Sequence, residues 1–297
     1  MAEVSVFDGR VCRIGEGPHY DERTGWVVWV DILGARVLWR DLAGAEVGES
    51  PTDGHVGAAV PRRDGGLVLC LPAGPVLVDP DGTVRPLGTY AEADAAAGVS
   101  RPVDTPTLRS NDAKADPAGR LWLGTMAYDS TPGAGALYRL DPGADTPRRI
   151  LSDVTISNGL GWSPDSATMY YIDTPTRRVD AIAYDIDAGE LGERSTFATI
   201  DDDGAFPDGL CVDAEGGVWV ALWNGSAVRR YAPDGRLDRV VPLPTAFVTS
   251  CAFAGEEFAT LVITTAAGSR AADGNAGLTY SYEPGDVVGR PVDRYAG

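Results

Sequence analysis

The stretch DPAGRLWLG (residues 116–124) is a tight turn followed by a strand. Asp116 and Gly119 are residues that hairpin turns need: Asp bonds its own backbone, and Gly takes positive φ without steric cost. Leu121, Trp122 and Leu123 are large apolar residues of the kind that pack on a pleated surface. The same unit recurs along the chain. DERTG (21–25) precedes WVVWVDI (26–32), RRDGG (62–66) precedes LVLCL (67–71), and SPDSAT (163–168) precedes MYYI (169–172). DAEGG (213–217) precedes VWVAL (218–222), and AGEEFAT (254–260) precedes LVIT (261–264).

Each unit continues into a third strand-like run and often a fourth, such as ARVLWRDL from Ala35 and GALYRLDP from Gly135. Six units at spacings of roughly 40–50 residues predict an all-β fold, a six-bladed β-propeller with four-stranded blades. Helical periodicity is nearly absent, with one short helix expected at 92–98. The segment from Met1 to Cys12 reads as an extra strand that pairs with the last blade, closes the ring and removes an exposed edge. Residues 1–297 are expected to form a single domain, since no linker interrupts the pattern and closed β folds run this long.

The net charge of −18 disfavours phosphate backbones, so no nucleic-acid partner is expected. No window is long and apolar enough for a membrane span. The first ten residues lack a basic start followed by an apolar core, which points to a cytoplasmic protein. Cys12, Cys70, Cys211 and Cys251 are widely spaced and form no CxxC pair, so reduced, mostly buried thiols are expected rather than a zinc site.

In a propeller the first strand of each blade runs beside the central channel, so the residues at its start crowd one opening. Counting back from the turns aligns these starts as Glu16, Val56, Asn111, Asn158, Asp208 and Ser250. Four of the six, Glu16, Asn111, Asn158 and Asp208, carry a side-chain carbonyl or carboxylate oxygen. The next column is mostly glycine, which lets other groups approach the backbone. Two carboxylates and two amides on one axis suit a hard divalent cation, because unpaired charge taken out of water is costly. The oxygen-only set favours Ca²⁺, Mg²⁺ or Mn²⁺, with Zn²⁺ and Fe²⁺ as further candidates. Asn and Asp also cap strands and bond turn backbones without metal, so spacing alone leaves both roles open.

Four blocks of sequence then carry a resemblance: GEGPHYDERTGWVVWVDI (15–32), RSNDAKADPAGRLWLGTM (109–126), SNGLGWSPDSATMYYIDT (157–174) and PDGLCVDAEGGVWVALW (207–223). In this order they resemble the SMP-30/gluconolactonase/luciferin-regenerating enzyme family. The resemblance implies a six-bladed propeller with one catalytic divalent metal in the channel mouth, Ca²⁺ foremost. It implies metal ligands at Glu16 of GEGP, Asn158 of SNG and Asp208 of PDG. It implies substrate-binding at Arg109 and Asn111 of the R-x-N-D motif. Family members often carry a Glu after GTM that helps to hold the sugar; here the text is MAYD, and Asp129 occupies that region. The implied activity is metal-dependent hydrolysis of aldono-1,4- and aldono-1,5-lactones to aldonic acids. The expected partner is a small sugar lactone, and the expected state is a monomer or weak homo-oligomer.

On this expectation Asp208 is the catalytic residue that takes a proton from water, with the cation itself as the competing activator. Arg109 offers a planar fork of donors to a ring oxygen or hydroxyl, and its alternative is a surface ion pair. Asn111 both donates and accepts. Asp112 either reaches the metal through water or caps a turn. No GxSxG elbow or HExxH helix accompanies the two histidines, His19 and His55, and His19 is expected to pack in the channel. The tryptophans on strands, Trp26, Trp122, Trp162 and Trp219, are expected in the core. The rival functions are a calcium-binding regulator with incidental lactonase activity, a protein-binding scaffold and an organophosphate hydrolase acting through the same metal.

Overall fold

The computed structural model describes residues 3–99, 107–202, 204–268 and 274–297. Its strands form six antiparallel four-stranded sheets, so the chain is a six-bladed β-propeller. The innermost strands, in chain order, are Gly15–Asp21, Ala59–Pro61, Leu108–Ala115, Ser157–Trp162, Phe206–Val212 and Val248–Ala254. Each continues outward through the successive antiparallel strands of its own blade. The sixth blade takes its outer strand from the other end of the chain: Ser5–Asp8 pairs with Thr279–Tyr282, placing Ser5 opposite Ser281 and Val6 opposite Tyr280. This is the expected closure, and it removes an open sheet edge from the ring. Met1 and Ala2 lie outside the described residues.

The turns explain themselves at atomic detail. In DPAGRLW the Asp116 carboxylate accepts from the Arg120 backbone N–H at 2.9 Å and from Trp122 Nε1 at 3.2 Å. In DAEGGVW the Asp213 carboxylate accepts from Gly217 N–H, Trp219 Nε1 and Arg230 Nε, each at 2.8 Å. One buried carboxylate thus satisfies the turn and the tryptophan six positions on. Trp29, Trp122 and Trp219 lie fully buried on the second strands, where apolar side chains fill the wedges between adjacent blades. Trp162 is buried as well, whereas Trp26 is only half-buried and stacks on Trp39 at 5.9 Å between ring centres.

The helix begins earlier than expected and covers Tyr90–Ala96. Its start is fixed by a capping box: Thr89 Oγ1 accepts from Glu92 N–H, and the Glu92 carboxylate accepts from Thr89 N–H. All four cysteines are free. Cys211 and Cys251, forty residues apart in sequence, nevertheless bring their sulfurs to 3.7 Å on neighbouring inner strands. The C-terminal segment returns under the ring, where Tyr295 bridges to Arg62 and Ala296 N–H donates to Gly119 O.

Candidate functional site

The inner strands share an irregularity that builds the site. In blades one, three, four and five the pairing to the second strand slips between Glu16 and His19, Ser110 and Ala113, Ser157 and Leu160, and Pro207 and Leu210. A β-bulge re-aims side chains that regular pleating would turn to opposite faces. The slips fall at Glu16, Asn111–Asp112, Asn158 and Asp208. The glycines that follow Asn158 and Asp208 are required by the neighbouring blade, whereas Gly17, after Glu16, is set by a positive φ of 54°. A Cβ on Gly159 would stand 2.6 Å from the Asp208 carbonyl oxygen.

Blades four and five meet directly at this level. Asn158 Nδ2 donates to Asp208 Oδ1 and, at 3.0 Å, to Thr174 Oγ1. Thr174 Oγ1 in turn donates to the Pro207 carbonyl at 2.9 Å. Glu16, Asn158 and Asp208 are all buried, at 7%, 4% and 6% exposure. Asn158 Oδ1 has no hydrogen-bond partner, and neither has either oxygen of Asp112. Burial pushes the Asp208 carboxyl up to about 8, with the Asp112 charge adding to it and the Asn158 amide opposing it. Burial likewise holds Glu16 well above the usual carboxylate range, reinforced by Asp208 and Asp112. Three acids therefore crowd one buried opening with oxygen atoms left unpaired.

That arrangement fits a divalent cation. The orphaned Asn158 oxygen and the two mutually repelling carboxylates of Glu16 and Asp208 form an oxygen-only donor set. Among the described residues no three His, Cys, Asp or Glu side chains close on one point as a ready-made cage. The candidate set differs from such a cage in that an amide, Asn158, supplies one of its three donors.

Arg109 is 8% exposed, so it is no surface ion-pair partner. Its Nη1 donates to the Ser110 carbonyl at 2.9 Å and to Asn111 Oδ1 at 2.7 Å. Asn111 Nδ2 donates to the Ser157 carbonyl of the next blade at 2.8 Å, so the amide is engaged at both ends and locks the guanidinium. Burial lowers the affinity of Arg109 for its proton, and the charges of Glu16 and Asp208 oppose that effect. Asp112 caps no turn: it is buried, and its carboxylate accepts no bond. Asp129 stands apart from this group. It is exposed, and its Oδ1 accepts from Thr131 N–H at 3.0 Å and Thr131 Oγ1 at 2.7 Å, closing a local turn.

Its neighbour Tyr128 escaped the sequence reading. The Tyr128 hydroxyl meets His55 Nδ1 at 2.7 Å on the rim, and it lies within electrostatic reach of Arg109. No spacing signal links residues 55 and 128. His19 is buried, as expected for a channel residue, and its Nε2 has no partner. It borders a cavity of about 110 Å³ at the other end of the inner strands, together with Lys114, Cys211 and Asp293 of the C-terminal segment.

No helix among the described residues is long and apolar enough to cross a membrane. The family described as SMP-30/Gluconolactonase/LRE-like region matches residues 14–267. Regucalcin of Danio rerio is 36% identical over 293 residues, covering 96% of this chain and 95% of that protein. Among solved structures, a calcium-binding protein, regucalcin, from Agrobacterium tumefaciens superposes with a TM-score of 0.88 at 27% identity, over 98% of this chain and 97% of that one. A luciferin-regenerating enzyme superposes with a TM-score of 0.90 at 26% identity over 100% of both chains. With the fold and these likenesses in agreement, the chain belongs to the SMP-30/gluconolactonase/LRE-like family.

Proposed function

We propose that this protein is a metal-dependent lactonase that opens aldonolactones to aldonic acids at the channel mouth. The single observation that carries the reading is the orphaned Asn158 oxygen beside two buried acids, Glu16 and Asp208. Such a group is costly to maintain in a stability role alone. Family membership supports the reaction class, and the calcium-binding relative supports the cation.

Glu16, Asn158 and Asp208 would hold the cation. When bound, it would polarise the lactone carbonyl and favour negative charge on that oxygen. The remaining work falls to the chain itself. Asp208 has one oxygen bonded to Asn158; its Oδ2 accepts the proton of the attacking water. Arg109, fixed by Asn111 and the Ser110 carbonyl, presents its remaining N–H groups to the ring oxygen or a hydroxyl. Asn111 acts on substrate chiefly through Arg109, because both ends of its amide are already bonded. Asp129 serves at the rim, where it meets the outer hydroxyls of a longer sugar.

The test is proton release from a panel of aldono-1,4- and aldono-1,5-lactones in the presence of Ca²⁺. Saturable turnover of one or more members supports the reading. A folded protein that binds Ca²⁺ and turns over none of them contradicts it.

A further inference from the structure

His55 and Tyr128 meet across the seam between blades two and three, and two anchors place them at the lip of the mouth beside Arg109. On blade three the second strand, Leu121–Ala127, pairs Met126 with Arg109 and Ala127 with Leu108. One residue further on, the Tyr128 N–H donates to the Thr107 carbonyl at 3.0 Å. Tyr128 therefore stands just past the mouth end of this strand, on the solvent side of Arg109. On blade two, Gly57 lies level with Ser110 and Asn111: a Cβ there would stand 2.6 Å from the Ser110 carbonyl carbon and 2.4 Å from the Asn111 carbonyl oxygen. The inner strands start at the mouth, so His55, two residues before Gly57, is nearer the opening and level with Leu108 and Arg109.

The contact itself is direct. The Tyr128 hydroxyl meets His55 Nδ1 at 2.7 Å, and the ring centres lie 5.5 Å apart with planes at 57°. Tyr128 is nevertheless 42% exposed, and His55 is half-buried. An aromatic ring with one wet end, at the lip of a polar pocket, is a contact of the kind that orients a bound small molecule. The bond to Tyr128 uses Nδ1, so Nε2 is the ring nitrogen left to meet a ligand hydroxyl, as donor or as acceptor. In an aldonolactone the ring oxygen is bonded to the carbon that carries the exocyclic arm. With the carbonyl drawn to the buried oxygens and the ring oxygen at Arg109, that hydroxylated arm is the part left at the lip.

We propose that His55 and Tyr128 act together as the specificity-determining contact for the exocyclic arm, so that lactones with a longer hydroxylated arm are turned over better than shorter ones; this rests on the lactonase reading above. His55 Nε2 bonds the outer hydroxyl of the arm. Tyr128 holds the imidazole in place through Nδ1 and lays its ring along the carbons.

The experiment is steady-state hydrolysis by the full chain with Ca²⁺, on pairs of lactones alike in ring configuration that differ by one hydroxylated carbon in the arm. The pairs are D-galactono- against L-arabinono-1,4-lactone and D-glucono- against D-xylono-1,5-lactone. If another aldonolactone is turned over better, its shorter-armed counterpart completes the pair. Wild type is expected to favour the longer member in kcat/KM by about fivefold or more, the worth of one hydrogen bond. His55→Ala is expected to erase most of that preference through a higher KM for the longer member. Tyr128→Phe keeps the ring but unties the imidazole, and it is expected to lower the preference as well. Because the two act as a unit, the double variant is expected to be no worse than His55→Ala alone. A wild type without the preference, variants that lose both members equally as a loosened seam would, or effects that add in the double variant overturn the assignment. A wild type that binds Ca²⁺ and turns over no aldonolactone overturns the lactonase reading itself, so the two failures are distinct.

Discussion

The side-chain amide of Asn158 donates to the carboxylate of Asp208 across the seam between blades four and five, leaving Asn158 Oδ1 buried without a partner. The bond fixes which atom of each residue faces the channel. Burial of the two acids beside it makes the metal-free site a source of instability, and that has a measurable sign.

Burial raises the Asp208 carboxyl to about 8 in the metal-free fold, and Glu16 is raised too. A raised folded value means that the folded chain holds its proton more tightly than the unfolded chain does. The stability this contributes is full below about pH 4, the ordinary aspartate value, and is lost as pH rises through 8. A cation favours the ionised form and reverses the loss. Melting of chelator-treated protein should therefore show a Ca²⁺-induced rise in Tm that grows from acid to mildly alkaline pH. In Asp208→Asn that growth should largely disappear. A rise independent of pH would contradict the account.

Arg109 and Asp129 should separate kinetically. Arg109 is buried at the mouth and locked by Asn111, whereas Asp129 is exposed and bonded to its own turn. Arg109→Ala is expected to lower kcat/KM by about 100-fold, a loss of ~3 kcal/mol of transition-state binding. Asp129→Ala is expected to raise KM by only a few-fold at unchanged kcat. Steady-state kinetics on the best lactone distinguishes them, and equal effects would contradict the assignment.

Asp213 is a test of the scaffold apart from the site. It has no solvent exposure and accepts from Gly217, Trp219 and Arg230. Asp213→Ala leaves the Gly217 N–H, the Trp219 indole N–H and Arg230 Nε without their acceptor, while Asp238 and Glu215 still pair with the guanidinium. The expected cost is about 2–4 kcal/mol, read as a lower urea midpoint. A change under about 1 kcal/mol would show that the turn tolerates its loss.

His19 sets a pH limit at the other end. Burial lowers its imidazole from the ordinary 6.5 to about 4, so the fold holds it neutral. A base with a lowered folded value contributes stability that is present above about pH 6.5 and lost as pH falls towards 4. His19→Gln should flatten the fall in stability over that window. Denaturant unfolding at several pH values checks it, and an unchanged slope would contradict it.

Much of this was legible because the chain repeats itself. The Asp–Gly turns and apolar runs mark the blades, since each turn's chemistry is local to five or six residues. Glu16, Asn158 and Asp208 were also legible, since each precedes a glycine at one distance from a recurring turn. Asp112 was ambiguous in sequence because its environment depends on the bulge at Ser110–Ala113, which no single residue type marks. The span from Lys114 to the Leu210 carbonyl and the meeting of His55 with Tyr128 join distant segments through backbone geometry, so no spacing shows them. The helix start at Tyr90 was set by Thr89 and Glu92, a capping signal present in the sequence and read two residues late.

The most direct measurement is metal add-back to the stripped protein, with hydrolysis followed by proton release on the best aldonolactone and Asp208→Ala as control. Ca²⁺, Mg²⁺, Mn²⁺, Zn²⁺ and Fe²⁺ are each returned separately. The account predicts that stripped wild type is inactive, that at least one of these ions restores turnover, and that Asp208→Ala stays inactive with every ion while remaining folded. Full activity in the stripped protein, or activity in the variant equal to wild type, would contradict the claim that the buried acids at the mouth carry the reaction.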